Sequence, residues 1–160
     1  MSCETDEYSL IEDKDIYFNN VVKLDKSDLH KKVIINIIGR FFLKTKDYSV
    51  FNSYIEALMD KAIKYSKKNY NTEMIIVHLN LTKMFIRQVD YKFIKTIVPI
   101  FQDKYPDRLE KCIITGIPIF FKIVYKIISP WIDKDTRKKI FFEKRNGITS
   151  FTNDFSELEI

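Results

Sequence analysis

Apolar residues fall along this chain in two rhythms. Residues 33–43, VIINIIGRFFL, are β-branched or apolar almost throughout, broken only at Asn36, Gly39 and Arg40. Such a run predicts an interior strand covered on both faces, and Gly39 marks a bulge or a close approach. The rhythm then changes. Phe51, Tyr54, Ile55, Leu58, Ala62 and Tyr65 recur at helical spacing, which predicts a helix over about 50–67 with one apolar stripe. Asp47 or Ser49 can cap it. Residues 73–81, EMIIVHLNL, predict a second strand. Asp90 then caps a helix near 90–104 whose stripe is Tyr91, Ile94, Ile97, Val98 and Phe101. Pro99 lies inside that stripe and predicts a kink or an early break.

After the Tyr105–Pro106 turn come a third strand at 111–115, a helix from about Pro118 to Ser129, a charged turn at 133–139, a fourth strand at 140–143 and a last helical turn at 155–160. Strands alternating with helices imply βαβ units with right-handed crossovers. The predicted fold is therefore α/β, a mostly parallel sheet with flanking helices in one compact domain. That domain occupies residues 31–160. Residues 1–30 are acidic and weakly patterned, and read as an N-terminal arm.

The segment 118–129 departs from the usual amphipathic pattern. Lys122, Lys126 and Ser129 share one narrow face, and the remaining circumference carries Ile119, Phe120, Phe121, Ile123, Val124, Tyr125, Ile127 and Ile128. Two readings fit. The helix is buried between the sheet and another element, or it faces an apolar ligand or a bilayer, with its lysines reaching toward anionic phosphates.

Composition narrows the function classes. At 160 residues with 46% hydrophobic residues, the chain can bury a real core. The net charge of +5 favours anionic partners without selecting one. Three glycines supply neither a dinucleotide fingerprint nor a phosphate loop, and no nucleophile elbow occurs. Cys112 reads as a small buried apolar residue, and His78 as a sheet histidine. Two cysteines, Cys3 and Cys112, and two histidines, His30 and His78, make no metal pattern and no disulfide framework. No catalytic, cofactor or metal site is expected. The basic cluster of Lys134, Arg137, Lys138, Lys139, Lys144 and Arg145 lies beside Phe141 and Phe142. Adjacent strand residues point to opposite faces, which disfavours a stacking surface for nucleic acid. The acidic N-terminus has no apolar leader, so a cytoplasmic protein is expected, touching a membrane only peripherally.

One ordered set of short motifs goes further. YPDRL at 105–109, IITGIP at 113–118, SPWID at 129–133 and TRKKI at 136–140 follow one another as in the CRAL-TRIO lipid-binding family. There the pattern is Y-P-E-R-L, an apolar strand ending in N-A-P, an apolar helix, K-P-F-L-D and T-x-x-K-I. The chain resembles that family over about residues 33–142, as a copy truncated at both ends. Asp stands for Glu at 107, and GIP stands for the N-A-P triplet.

The resemblance implies one lipid held in an apolar pocket behind a helical gate. Phe120, Phe121, Val124, Ile127 and Ile128 would form the gate and pocket. Asp107, Thr136 and Lys139 would recognise a phospholipid headgroup such as a phosphoinositide; read without the resemblance, Thr136 caps the turn and Asp107 and Lys139 form a surface pair. It implies non-enzymatic binding, transfer or sensing of a phospholipid, with peripheral membrane contact. Because compact relatives include modules that bind small GTPases, a protein-interaction scaffold that has lost its lipid is the alternative.

Overall fold

The computed structural model describes residues 21–27, 31–41, 48–144 and 151–154. The arm up to residue 20, His30, the Asp47 cap and the 155–160 turn lie outside the described residues. Among the described residues six strands form one sheet in chain order: β1 (Val22–Ser27), β2 (Lys32–Ile38), β3 (Ile75–Asn80), β4 (Leu109–Thr115), β5 (Ile140–Glu143) and β6 (Phe151–Thr152). The pairs β2–β3, β3–β4 and β4–β5 are parallel, and the outer pairs β1–β2 and β5–β6 are antiparallel. The sheet is thus mixed, with the expected parallel core and an antiparallel strand at each edge. β1 falls inside the stretch read above as an arm.

Helices join the parallel strands. Tyr48–Tyr70 (α1) connects β2 to β3 and buries Phe51, Ile55, Leu58, Met59, Ala62 and Ser66. Their spacing of three and four residues puts them on one face, as the stripe requires. Tyr91–Pro99 (α2) connects β3 to β4. Its N-cap is Asp90, whose carboxylate accepts the Phe93 backbone N–H at 3.1 Å. Pro99 does not stop the helix. It lacks an N–H to continue the ladder, and the chain widens into a π-turn at Ile100–Lys104, closed by Tyr105 N–H donating to the Ile100 carbonyl at 3.1 Å. Phe121–Ile128 (α3) and the short Lys134–Lys138 (α4) connect β4 to β5.

Strand β2 ends sooner than its apolar run. Gly39–Phe41 forms a 3₁₀ turn instead. A Cβ on Gly39 would stand 3.0 Å from the Met84 sulfur and 3.1 Å from Leu81 Cδ2, so this glycine marks a close approach.

Register sorts the side chains onto two sheet faces. One face carries Val33, Ile35 and Ile37 from β2, Ile75, Val77 and Leu79 from β3, Cys112 and Ile114 from β4, and Ile140 and Phe142 from β5. Both core clusters lie on this face. In one it meets α1 and α2, and in the other it meets α3. The opposite face carries a hydrogen-bonded polar row. Asn36 bridges Asp25 and His78, the His78 Nδ1 contact to Asn36 Oδ1 being 2.8 Å. His78 Nε2 meets Thr115 Oγ1 at 2.9 Å. Burial lowers the His78 pKa, partly offset by the charge of Glu143. His78 is the hydrogen-bonded sheet histidine that its strand context predicts.

Candidate functional site

Between the first sheet face and α1, α2 and α3 lies a cavity of about 270 Å³. Sheet side chains such as Val77, Leu79, Cys112 and Ile114 floor it, α2 contributes Phe93, Ile94, Ile97 and Val98, and α3 closes it with Phe121, Val124, Tyr125 and Ile128. Stripes that periodicity reads as ordinary core, above all that of α2, therefore face an open volume.

The apolar circumference of α3 divides between two surroundings. Phe121 and Val124 are buried against the cavity, and Phe121 and Tyr125 pack edge-on to Phe142 of β5. The outer face is open: Ile119, just before the helix, is 76% exposed, Ile123 64% and Ile127 45%. The helix is therefore a wall one layer thick, with the cavity inside and apolar side chains outside.

The residues named above for the gate divide accordingly. Phe120, Phe121, Val124 and Ile128 line the cavity, while Ile127 stands on the outer face. Of the residues named for a headgroup, Thr136 lines the cavity. Its hydroxyl donates to Asp133 Oδ2 at 2.9 Å and its backbone N–H to Asp133 Oδ1 at 2.7 Å. Asp133 is thus the N-cap of α4, and these hydrogen bonds hold its carboxyl below the usual range. Asp107 is exposed in the turn ahead of β4, at φ +59°. Lys139 is half-buried ahead of β5, its carbonyl accepting the Cys112 N–H at 2.8 Å. Both sit at the N-terminal edge of neighbouring parallel strands. Among the described residues no ion pair joins them.

Apart from Thr136, the cavity's polar groups were not marked by the family motifs. At one end Gln88 and Asp90 line it, and Asp90 also accepts the Tyr48 hydroxyl at 2.7 Å. At another, Gln102 clamps the segment after α3. Its Nε2 donates to the Trp131 carbonyl at 3.4 Å, and its Oε1 accepts the Asp133 N–H at 2.7 Å. Trp131 itself packs edge-on to Tyr91 and under the Lys95 ammonium, 4.7 Å from the ring centroid. Cys112 faces the cavity as a thiol whose pKa burial pushes up to about 12, which favours the neutral form at pH 7. Among the described residues no group of three acidic, histidine or cysteine side chains could hold a metal ion, and no helix is long and apolar enough to cross a membrane.

Comparison with known proteins agrees with this architecture. The chain is 26% identical over 122 residues to a CRAL-TRIO domain-containing protein of Saccharomyces cerevisiae, covering 76% of this chain and 36% of that one. It is 24% identical over 123 residues to the phosphatidylinositol transfer protein SFH5 of Kluyveromyces lactis, covering 72% and 41%. A crystal structure of Sfh5 superposes with a TM-score of 0.67 at 24% identity, over 78% of this chain and 49% of that one. The chain thus spans less than half the length of these relatives. The sequence profile of the CRAL/TRIO domain matches residues 18–159, and the chain belongs to that family.

Proposed function

We propose that this chain is a non-enzymatic lipid-binding module. It takes the apolar part of a phospholipid, such as a phosphoinositide, into the cavity between sheet and helices, with α3 as the gate. The observation that carries this reading is the apolar cavity itself, walled by a single helix in a chain of the CRAL/TRIO family. A relative named as a phosphatidylinositol transfer protein supports the choice of ligand. At about 270 Å³ the cavity lies just under the range of roughly 300–1,000 Å³ common for small-molecule sites. A two-chain lipid therefore requires α3 to move outward. Asp107, Thr136 and Lys139 take the headgroup: Lys139 supplies charge for phosphate, and the oxygens of Thr136 and Asp107 meet hydroxyls. The module works in the cytoplasm, in peripheral contact with a membrane.

Native mass spectrometry of the purified protein, with lipid extraction of the same sample, tests this. The expected result is one phospholipid per chain, with Lys139→Ala weakening binding of phosphoinositides more than of phosphatidylcholine. A folded chain that carries no lipid and takes none from mixed vesicles would overturn the reading. The modest cavity volume is the observation that favours the second reading, a scaffold that binds a protein such as a small GTPase.

A further inference from the structure

Three connections leave the C-terminal ends of β2, β3 and β4. These strands are parallel neighbours, so the connections start along one edge of the sheet. The cavity reaches the same edge, since Gly39, Leu81, Met84, Gln88 and Phe120 from these connections line it. Residues 39–41, 81–89 and 116–126 of these connections carry five cations, Arg40, Lys83, Arg87, Lys122 and Lys126, and the two carboxylates beside them are engaged in hydrogen bonds: Asp90 caps α2, and Glu143 of β5 accepts the Gly116 N–H at 3.2 Å. In a chain with 22 acidic residues this is a local bias.

The middle connection holds two large apolar side chains in solvent. Phe85 is 57% exposed and Ile86 58%. This is a built turn. The Gln88 backbone N–H donates to the Phe85 carbonyl at 3.0 Å, and the Phe85 N–H donates back to Gln88 Oε1 at 2.7 Å. The other half of the Gln88 amide donates from Nε2 to the Arg40 carbonyl at 2.7 Å, which ties this turn to the one after β2. Thr82 is wedged against Gly116, which ties it to the connection after β4: a Cβ on Gly116 would stand 2.1 Å from Thr82 Oγ1. Arg87 lies over the Phe85 ring, 4.8 Å from its centroid, and Arg40 over Phe41 at 4.6 Å. A braced turn that presents apolar tips ringed by cations fits the interface of a bilayer, where tips enter the acyl boundary and cations meet phosphates.

We infer that Phe85 and Ile86 are a rigid insertion prong, separate from the gate helix, that docks this edge onto a bilayer containing anionic lipids. The inference deepens the lipid-binding reading and rests on it. Gln88 is a positioning residue: it holds the prong and does not touch the membrane. Arg40, Lys83 and Arg87 select anionic headgroups, each worth roughly fivefold in affinity.

The test is sedimentation of the full chain with two sets of vesicles, phosphatidylcholine alone and phosphatidylcholine with phosphatidylserine. Lipid loading is measured in parallel by native mass spectrometry. The wild type should bind the anionic vesicles more tightly. Phe85→Ser with Ile86→Ser should lower that affinity by roughly a hundredfold and leave the loaded lipid unchanged. Gln88→Ala should lower it less, and Arg87→Gln should reduce only the difference between the two vesicle types. Unchanged binding by the double variant, or a wild type that loads lipid yet ignores both vesicles, would overturn the prong and leave the cavity reading standing. A chain that loads nothing but still binds anionic vesicles through Phe85 and Ile86 would do the reverse.

Discussion

Helices α1 and α3 both cross between parallel strands over the same sheet face, and both are rich in isoleucine and aromatics, but they spend their apolar surface differently. Helix α1 runs 23 residues and buries a full stripe, with Phe51, Ile55, Met59 and Ala62 at 1% exposure or less. Helix α3 runs eight residues, buries Phe121 and Val124, and leaves Ile123 and Ile127 open. An apolar side chain stabilises a fold only by the water it loses on burial, at about 25 cal/mol per Å². Most of the apolar surface of α1 therefore holds the domain together. About half of that on α3 contributes nothing to folding as it stands, and becomes useful only when something apolar arrives on either side of the helix.

The largest effect expected from this contrast belongs to α1. Met59 is 1% exposed within the cluster joining β1, β2 and β3 to α1. Met59→Ala should cost about 2–5 kcal/mol, because the deleted atoms leave a void in a tightly packed layer. Urea unfolding measures it. A cost below about 1 kcal/mol would mean that this layer is packed as loosely as the cavity beside it, and the contrast would fail.

Next comes the entrance to α3. Gly116 has φ +62°, and a Cβ there would also meet the Thr82 backbone N at 2.6 Å. Gly116→Ala should cost about 1–3 kcal/mol from the left-handed backbone alone, with the forced displacement of Thr82 added. Because the strain falls on the β3 and β4 connections and leaves α1 untouched, hydrogen exchange should show the loss of protection around residues 80–124 first. Uniform loss across α1 would indicate that the two helices are one cooperative unit.

What could be read from the sequence follows the same division. Helix α1, β2 and β3 were legible because long apolar runs and a regular stripe are the direct imprint of burial on one sheet face, and Asp90 was legible as a cap because its role is local. Strand β1 was not: VKLDKS alternates for too few residues, and its place is decided by pairing with β2 residues 5 to 15 positions later. β6 is two residues long and carries no period at all. Of the five residues that the resemblance pointed to, Phe120, Phe121, Val124 and Ile128 line the cavity and Ile127 does not, and periodicity could not say that the stripe of α2 faces a void, since a core and a cavity wall have the same pattern. Gln88 and Gln102 were invisible for another reason. Gln102 works through partners 29 and 31 residues away, Gln88 joins the nearby Phe85 to Arg40, 48 residues away, and a lone glutamine in an apolar stretch has no spacing to betray it.

The smallest expected effect is the most discriminating. Ile123→Ser replaces a side chain that is 64% exposed, so unfolding free energy should change by no more than about 0.5 kcal/mol, at most about a quarter of the cost at Met59. Serine lowers the helix propensity slightly, and the lost apolar area is already wet, so nothing in the isolated chain opposes the change. If urea unfolding instead gave a cost of about 2 kcal/mol, Ile123 would be covered in solution, and α3 would be an interior helix like α1. A null effect on stability, together with weaker binding to lipid vesicles, separates the two helices by function: the same residue type, on the same sheet face, stabilises the fold in one and awaits a ligand or a bilayer in the other.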